Sequence, residues 1–141
     1  MAHRLSIDTS GPGFYEITGR LPALVSGDGV LSLFIRHTSA SLLIQENADP
    51  DVQSDLAGFL ERFAPPANHP DMRWLRHVME GPDDMPAHIK AAFLPTSLQI
   101  PVIGGRLGLG TWQGVYLVEH RTRPHRREVL ASMLPAMPDP V

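Results

Sequence analysis

The sequence has no cysteine. That single absence removes disulfides, thiolate catalysis and cysteine-ligated zinc, and leaves His, Asp and Glu as the strong metal ligands. Lysine is scarce, charged residues make up only 19% of the chain, and the formal net charge is -3 with a pI near 6.1. Binding nucleic acid needs a basic face, so no nucleic-acid partner is expected. No apolar run approaches the roughly 18 residues of a membrane span, and the N-terminal Met-Ala-His-Arg-Leu-Ser lacks the apolar core of a signal peptide. A soluble, cytoplasmic protein with no membrane partner is the expectation.

What the sequence does have is enough apolar material for one core: 141 residues, 43% of them hydrophobic, which suits a single domain. The low charge points to surface covered by a partner subunit. Alternation at Leu5 and Ile7 predicts a strand over 3–9, ended by Ser10-Gly11-Pro12-Gly13. Thr18 is then expected to cap a short helix carrying Leu21, Leu24 and Val25, closed by Gly27. Strands follow over 29–36 and 41–45. The clearest helix start lies at Asp49 (N-cap), Pro50 and Asp51, with an apolar stripe of Val52, Leu56, Phe59, Leu60 and Phe63 and a stop at Pro65-Pro66. Residues 64–86 form a long polar connection, with Met72, Leu75 and Met79 at helical spacing around Trp74. Asp84 is expected to cap a second helix running to Phe93. Strands are then predicted over 97–102, 106–111, 113–119 and 128–133, and a loose proline-rich tail over 134–141. Helices and strands alternate without a βαβ repeat, so the fold class is α+β: one domain over 1–133, a mixed or antiparallel sheet, C-terminal hairpins and two to three helices.

The chemistry concentrates between His77 and Lys90. Two histidines, three acids and a lysine lie there among two prolines and a glycine, a mixture that core packing does not require. Seven histidines without a cysteine make His plus carboxylate the only available metal set, with His77, His88 and His120 as candidates. No two of these three have helical zinc-motif spacing, so the fold must assemble any site. Asp83 and Asp84 read either as a cap and its solvated neighbour or as catalytic or metal-binding groups. Glu119 and Arg121 share one face of a strand end and His120 takes the other; an anion site and an edge salt bridge both fit. The glycines of 108–114 lack the Lys-Ser/Thr ending of a phosphate loop and the spacing of a dinucleotide fingerprint, leaving a bulge or close strand packing.

Five motifs in order resemble one family: His37-Thr38-Ser39-Ala40, the segment 46–52, the segment 83–90, Ser97-Leu98-Gln99-Ile100-Pro101-Val102, and Leu109 to Tyr116 continuing through Glu119-His120-Arg121. Over about residues 3–133 the chain is similar to the YjbQ family, also called UPF0047. It departs from the common pattern at Pro95-Thr96, where Gly-Pro is usual, and at Val118, often Cys; neither change removes a polar motif group. The resemblance implies an α+β trimer with a site between subunits, and thiamine-phosphate synthase activity, joining a pyrimidine pyrophosphate to a thiazole phosphate with loss of pyrophosphate.

Three functions from different classes remain open. In a thiamine-phosphate synthase, Arg121, Lys90 or a divalent metal (zinc or magnesium) on His77, His88 and His120 would meet the pyrophosphate. Asn47, Thr111, Trp112 and Gln113 would orient substrate, and His37 would transfer a proton. In a metal-dependent hydrolase of a small phosphorylated or carboxylated metabolite, Glu119 or Asp84 would be the base. The third is a non-catalytic homotrimeric metabolite-binding protein.

Overall fold

A computed structural model describes residues 2–139; residues 140 and 141, the end of the expected tail, lie outside the described residues. Alternating apolar residues set the frame. Strand β1 (Ala2–Thr9) buries Leu5, Ile7 and Thr9 and turns Arg4, Ser6 and Asp8 outward. Strands β3 (Gly29–Ile35), β5 (Ser97–Ile103) and β8 (His125–Pro135) repeat that pattern with Leu31, Leu33 and Ile35, with Ile100 and Val102, and with Val129 and Ala131. Together with the short β6 (Arg106–Leu107) they form an antiparallel sheet in the order β1-β8-β3-β5-β6. A second antiparallel sheet is ordered β2-β7-β4, from β2 (Gly13–Glu16), β4 (Ala40–Glu46) and β7 (Gln113–Glu119). The core lies where Leu42, Val115 and Leu117 of the small sheet join the inner residues of the large one.

Strand β7 is buried from Gly114 to Glu119, because its outer face is also covered. Helix α1 (Pro50–Phe63) lies over it, with Gln53 donating to the Tyr116 hydroxyl at 2.8 Å. The helix starts as the sequence requires: Asp49 accepts from the Asp51 amide at 2.9 Å, with Pro50 in the first turn. Its expected core stripe is only half realised. No residue of α1 is buried, and Phe59 and Phe63 stay exposed, packed with Phe93 of α2 (Asp84–Phe93).

Several boundaries differ from expectation for identifiable reasons. Thr18 does not cap a helix: its hydroxyl donates to Glu16 Oε2 and accepts from the Val115 amide, and two 3-10 turns, Thr18–Arg20 and Pro22–Leu24, replace the helix. The spacing of Met72, Leu75 and Met79 yields only one 3-10 turn, Pro70–Met72, and Met79 is almost fully exposed. Asp83, not Asp84, occupies the N-cap of α2. Strand β6 stops at Leu107 because Gly108 turns back to donate its amide to Pro101 O at 2.7 Å; a Cβ there would come within 2.9 Å of that oxygen. Strand β8 runs three residues earlier than predicted and takes Leu134 and Pro135 from the expected tail, since it is paired on both sides, with β1 and β3. Among the described residues, no helix is long and apolar enough to cross a membrane.

Candidate metal centre

The long connection returns at the start of α2, and there the His77-to-Lys90 stretch closes on itself. Asp84 and His88 are four residues apart on the helix and so share a face. His77 reaches them from the connection. His77 Nε2 lies 2.7 Å from Asp84 Oδ2, and His88 Nε2 lies 3.2 Å from the same oxygen. One ligand atom from each of the three residues lies within 4.8 Å of the other two. Asp84 is buried, His88 partly so, and His77 half-exposed, which leaves one side of the group open to solvent.

The neighbours decide which atoms face inward. His88 Nδ1 lies 2.9 Å from the Thr38 carbonyl. A carbonyl only accepts, so Nδ1 carries the hydrogen and Nε2 of the neutral ring presents a lone pair to Asp84. Arg121 Nη1 holds Asp84 Oδ1 at 2.8 Å, which directs Oδ2 at the two imidazoles. Burial by itself would raise the Asp84 carboxyl pKa, but the His77 hydrogen bond and the positive charge of Arg121, joined by that of His88 when it is protonated, outweigh it and hold the value below the ordinary one. The carboxylate is therefore ionised. His77 donates a proton to Asp84 here; with that proton displaced, two imidazole nitrogens and an anionic oxygen converge on one point, and an O/N donor set with an open side fits a divalent ion.

Asp83 does different work. Its Oδ2 accepts from Arg121 Nε (2.8 Å), the Thr122 amide (2.9 Å) and the Thr122 hydroxyl (3.1 Å). Those donors overcome the effect of burial and take its pKa down to about 2. With that oxygen occupied, the Asp83 side chain makes no capping bond to α2. The Asp83-Asp84 pair thus divides into one carboxylate that ties the helix start to the end of β7 and one that faces the histidines.

The other expected site residues are distributed differently. His120 does not join His77 and His88. It is buried on the outer face of the small sheet, with Nε2 2.9 Å from Ser41 Oγ; burial first and the Lys90 charge second lower its pKa to about 4. Asp84 takes its place in the metal set. Glu119 is unsuited to act as a base because it faces the core between the sheets. It accepts from Thr9 Oγ1 (2.6 Å), from Arg127 Nε (2.8 Å), and from the amides of His120 and Arg121. Burial would raise its pKa, but these donors and the Arg127 charge lower it. His37 Nε2 accepts the Glu128 amide at 2.8 Å, so its basic nitrogen is already engaged; burial and Arg127 lower its pKa. Lys90 lies on the other face of α2, 3.2 Å from Glu61. Asn47 binds Glu16, and its amide bonds the Trp112 carbonyl; Gln113 accepts from Gly110, and Thr111 and Trp112 are exposed. These four lie at the Gln113 end of β7, about 20 Å along the strand from Glu119 at ~3.3 Å per residue. One chain therefore does not bring them to the histidines.

A family model described as UPF0047 protein YjbQ-like matches residues 3–136. The chain belongs to this family. The YjbQ-like chain is 53% identical over 133 residues to UPF0047 protein sll1880 of Synechocystis, covering 92% of this chain and 88% of that relative. Against the YjbQ protein of Escherichia coli O157:H7 the identity is 39% over 134 residues, covering 92% and 94%. Two solved structures share the fold: the conserved hypothetical protein TT1486 of Thermus thermophilus, with a TM-score of 0.82 at 38% identity, and a YjbQ/UPF0047 protein of Clostridium acetobutylicum, with 0.83 at 36%. Each alignment covers 94% of this chain and 99% of the other. The α+β fold implied by the resemblance is the fold of the YjbQ-like chain.

Asp84 was open in the sequence to a capping, catalytic or metal-binding role, but its place beside His77 and His88, where His120 was expected, was not assigned. The Asp84-x-x-x-His88 spacing, on a helix already predicted there, was the available signal. Nothing in the local sequence pointed to Arg127 or Ser41, which act across the fold.

Proposed function

We propose that this chain is an enzyme acting on a small phosphorylated or carboxylated metabolite at a divalent-cation site held by His77, Asp84 and His88. The observation that supports the reading is the aim of both Nε2 atoms at the single oxygen Asp84 Oδ2, with His88 locked in that tautomer by the Thr38 carbonyl. A cation bound there supplies Lewis acidity and lowers the pKa of water. Arg121 keeps Asp84 oriented, and the open side beside His77 admits substrate. Glu80, exposed and 4.0 Å from His77, is the carboxylate placed to take a proton at the mouth once Glu119 is excluded as a base.

Hydrolysis is favoured over thiamine-phosphate condensation by the charge balance. Releasing pyrophosphate asks for several positive groups at the site, whereas Arg121 is paired with Asp83 and Asp84, and Lys90 lies on the opposite face of α2 from His88. The separation of Asn47, Thr111, Trp112 and Gln113 from the histidines is met by a homotrimer in which those residues of one copy approach the cation site of the next.

Metal analysis of the purified protein, followed by a panel of phosphate esters, carboxylate esters and the two thiamine-phosphate precursors, tests this. About one zinc or similar ion per chain, lost in His88→Ala together with hydrolysis of some panel member, is the expected result. Protein that takes up no divalent ion on dialysis would sink the site, and thiamine phosphate formed from the precursors would transfer the reading to the synthase.

A further inference from the structure

Helix α2 has a second functional face. Lys90 lies two residues beyond His88, about 200° around the helix at 3.6 residues per turn, and it is the only lysine in the chain. Lysine is seldom buried, yet this one is 8% exposed. It stands in a cavity of about 230 Å³ between α1, α2 and the outer face of the small sheet, walled by Pro12, Phe14, Ala57, Leu60 and Val118. A smaller space of about 50 Å³, also lined by Lys90 and His120, continues it towards Asp83 and Thr122.

Two polar groups meet in this apolar cavity. One is the Lys90 ammonium, whose carboxylate partner Glu61 stands at the rim with its side chain 61% exposed. The other is His120, 4% exposed, with Nε2 engaged by Ser41 and Nδ1 without a partner among the described residues. The cation-site reading uses neither residue. An apolar chamber with one cation and one imidazole nitrogen at its base, guarded by a displaceable carboxylate, has the make-up of a small-molecule site. One positive charge matches a monoanion. A phosphate dianion would ask for more donors than the chamber has.

We infer that the cavity over Lys90 and His120 is a binding site, separate from the His77-Asp84-His88 centre, for a small monocarboxylate with an apolar body. The carboxylate replaces Glu61 on Lys90 and meets His120, while the hydrocarbon part lies against Phe14, Leu60 and Val118. Glu61 acts as an internal competitor that occupies the cation when the chamber is empty.

The test is a titration of the full-length protein with 3-methylbutanoate, and separately with inorganic phosphate. It is followed by amide chemical shifts and calorimetry, with EDTA present so that carboxylate bound to a metal does not contribute. Saturable binding of 3-methylbutanoate with shifts at Phe14, Val118 and His120 is expected. Lys90→Met should weaken it about tenfold or more, as expected for loss of a charge-assisted hydrogen bond. Glu61→Gln, a surface change that spares the fold, should tighten it severalfold, and His88→Ala should leave it unchanged. Absence of saturable binding to the wild-type protein would overturn the inference, as would equal or weaker affinity in Glu61→Gln. Loss of binding in His88→Ala would reassign the ligand to the metal centre, and phosphate binding as tightly as the carboxylate would remove the proposed ligand class.

Discussion

Arg121 touches no position where a cation would sit, yet it holds Asp84 Oδ1 and Asp83 Oδ2 and donates to the Glu80 carbonyl. Groups that orient a ligand in this way contribute about 10- to 100-fold to metal affinity. Arg121→Gln should therefore weaken zinc binding by about that factor in a chelator competition, with Arg121→Lys intermediate because it offers no two-pronged fork. Arg127 has a different role: it neutralises Glu119 between the sheets, both side chains being buried. Arg127→Met leaves that charge unpaired and should cost about 3–5 kcal/mol in urea unfolding. Acid sensitivity follows from His120. Its folded pKa of about 4 lies below the ordinary 6.5, so the unfolded chain takes up the proton first. The stability His120 contributes is complete above about pH 6.5 and is lost as pH falls towards 4. Asp83, lowered to about 2 from 3.8, contributes stability above about pH 3.8 that disappears below it. Unfolding midpoints should thus decline in two stages on acidification. His120→Gln should flatten the first, worth about 1–3 kcal/mol.

At the level of elements, β8 is the strand on which the large sheet depends, because β1 pairs along one edge and β3 along the other. The β3 pairing is tightest at its end: a Cβ on Gly29 would lie 2.1 Å from the Leu134 carbonyl oxygen, at a φ of +157°. Gly29→Ala should therefore force β3 and β8 apart and cost about 3 kcal/mol or more, read as a lowered melting temperature. Helix α2 was legible in outline, since Pro86 and Pro95 bracket it and Ala87 and Ala91 bury one stripe. Its first residue was not legible, because two adjacent aspartates satisfy the same capping signal. Only their distant partners, Arg121 and Thr122 for one and the histidines for the other, distinguish them.

For the molecule as a whole, the exposed apolar surface is informative. Helix α1 buries none of its fourteen residues, and Trp112, Trp74 and Phe93 are all more than half exposed. Such surface is what a homo-oligomer covers. Sedimentation should give a particle of three times the 15.5 kDa chain mass, and Trp112→Glu should shift it towards the monomer. A monomeric wild-type protein would remove the shared site from the proposal.

Residue order alone determined the kinds of element present and most of their places. Alternating apolar residues, the Asp49-Pro50 helix start and the proline stops act within a few positions of where they stand. The absence of cysteine likewise restricted metal chemistry to His and carboxylate before any fold was known. Which of the candidate residues meet was decided by tertiary structure alone. His120 and Arg121 are neighbours in sequence, but the end of β7 sends one beneath α2 to Ser41 and Lys90 and the other to Asp83 and Asp84. Glu119, one position earlier, faces the core and Arg127. Strand alternation foretold that His120 would point away from Glu119 and Arg121, not that those two would part. What each would meet depended on packing between elements as far apart as Thr9 and Glu119, and no local pattern carries that information.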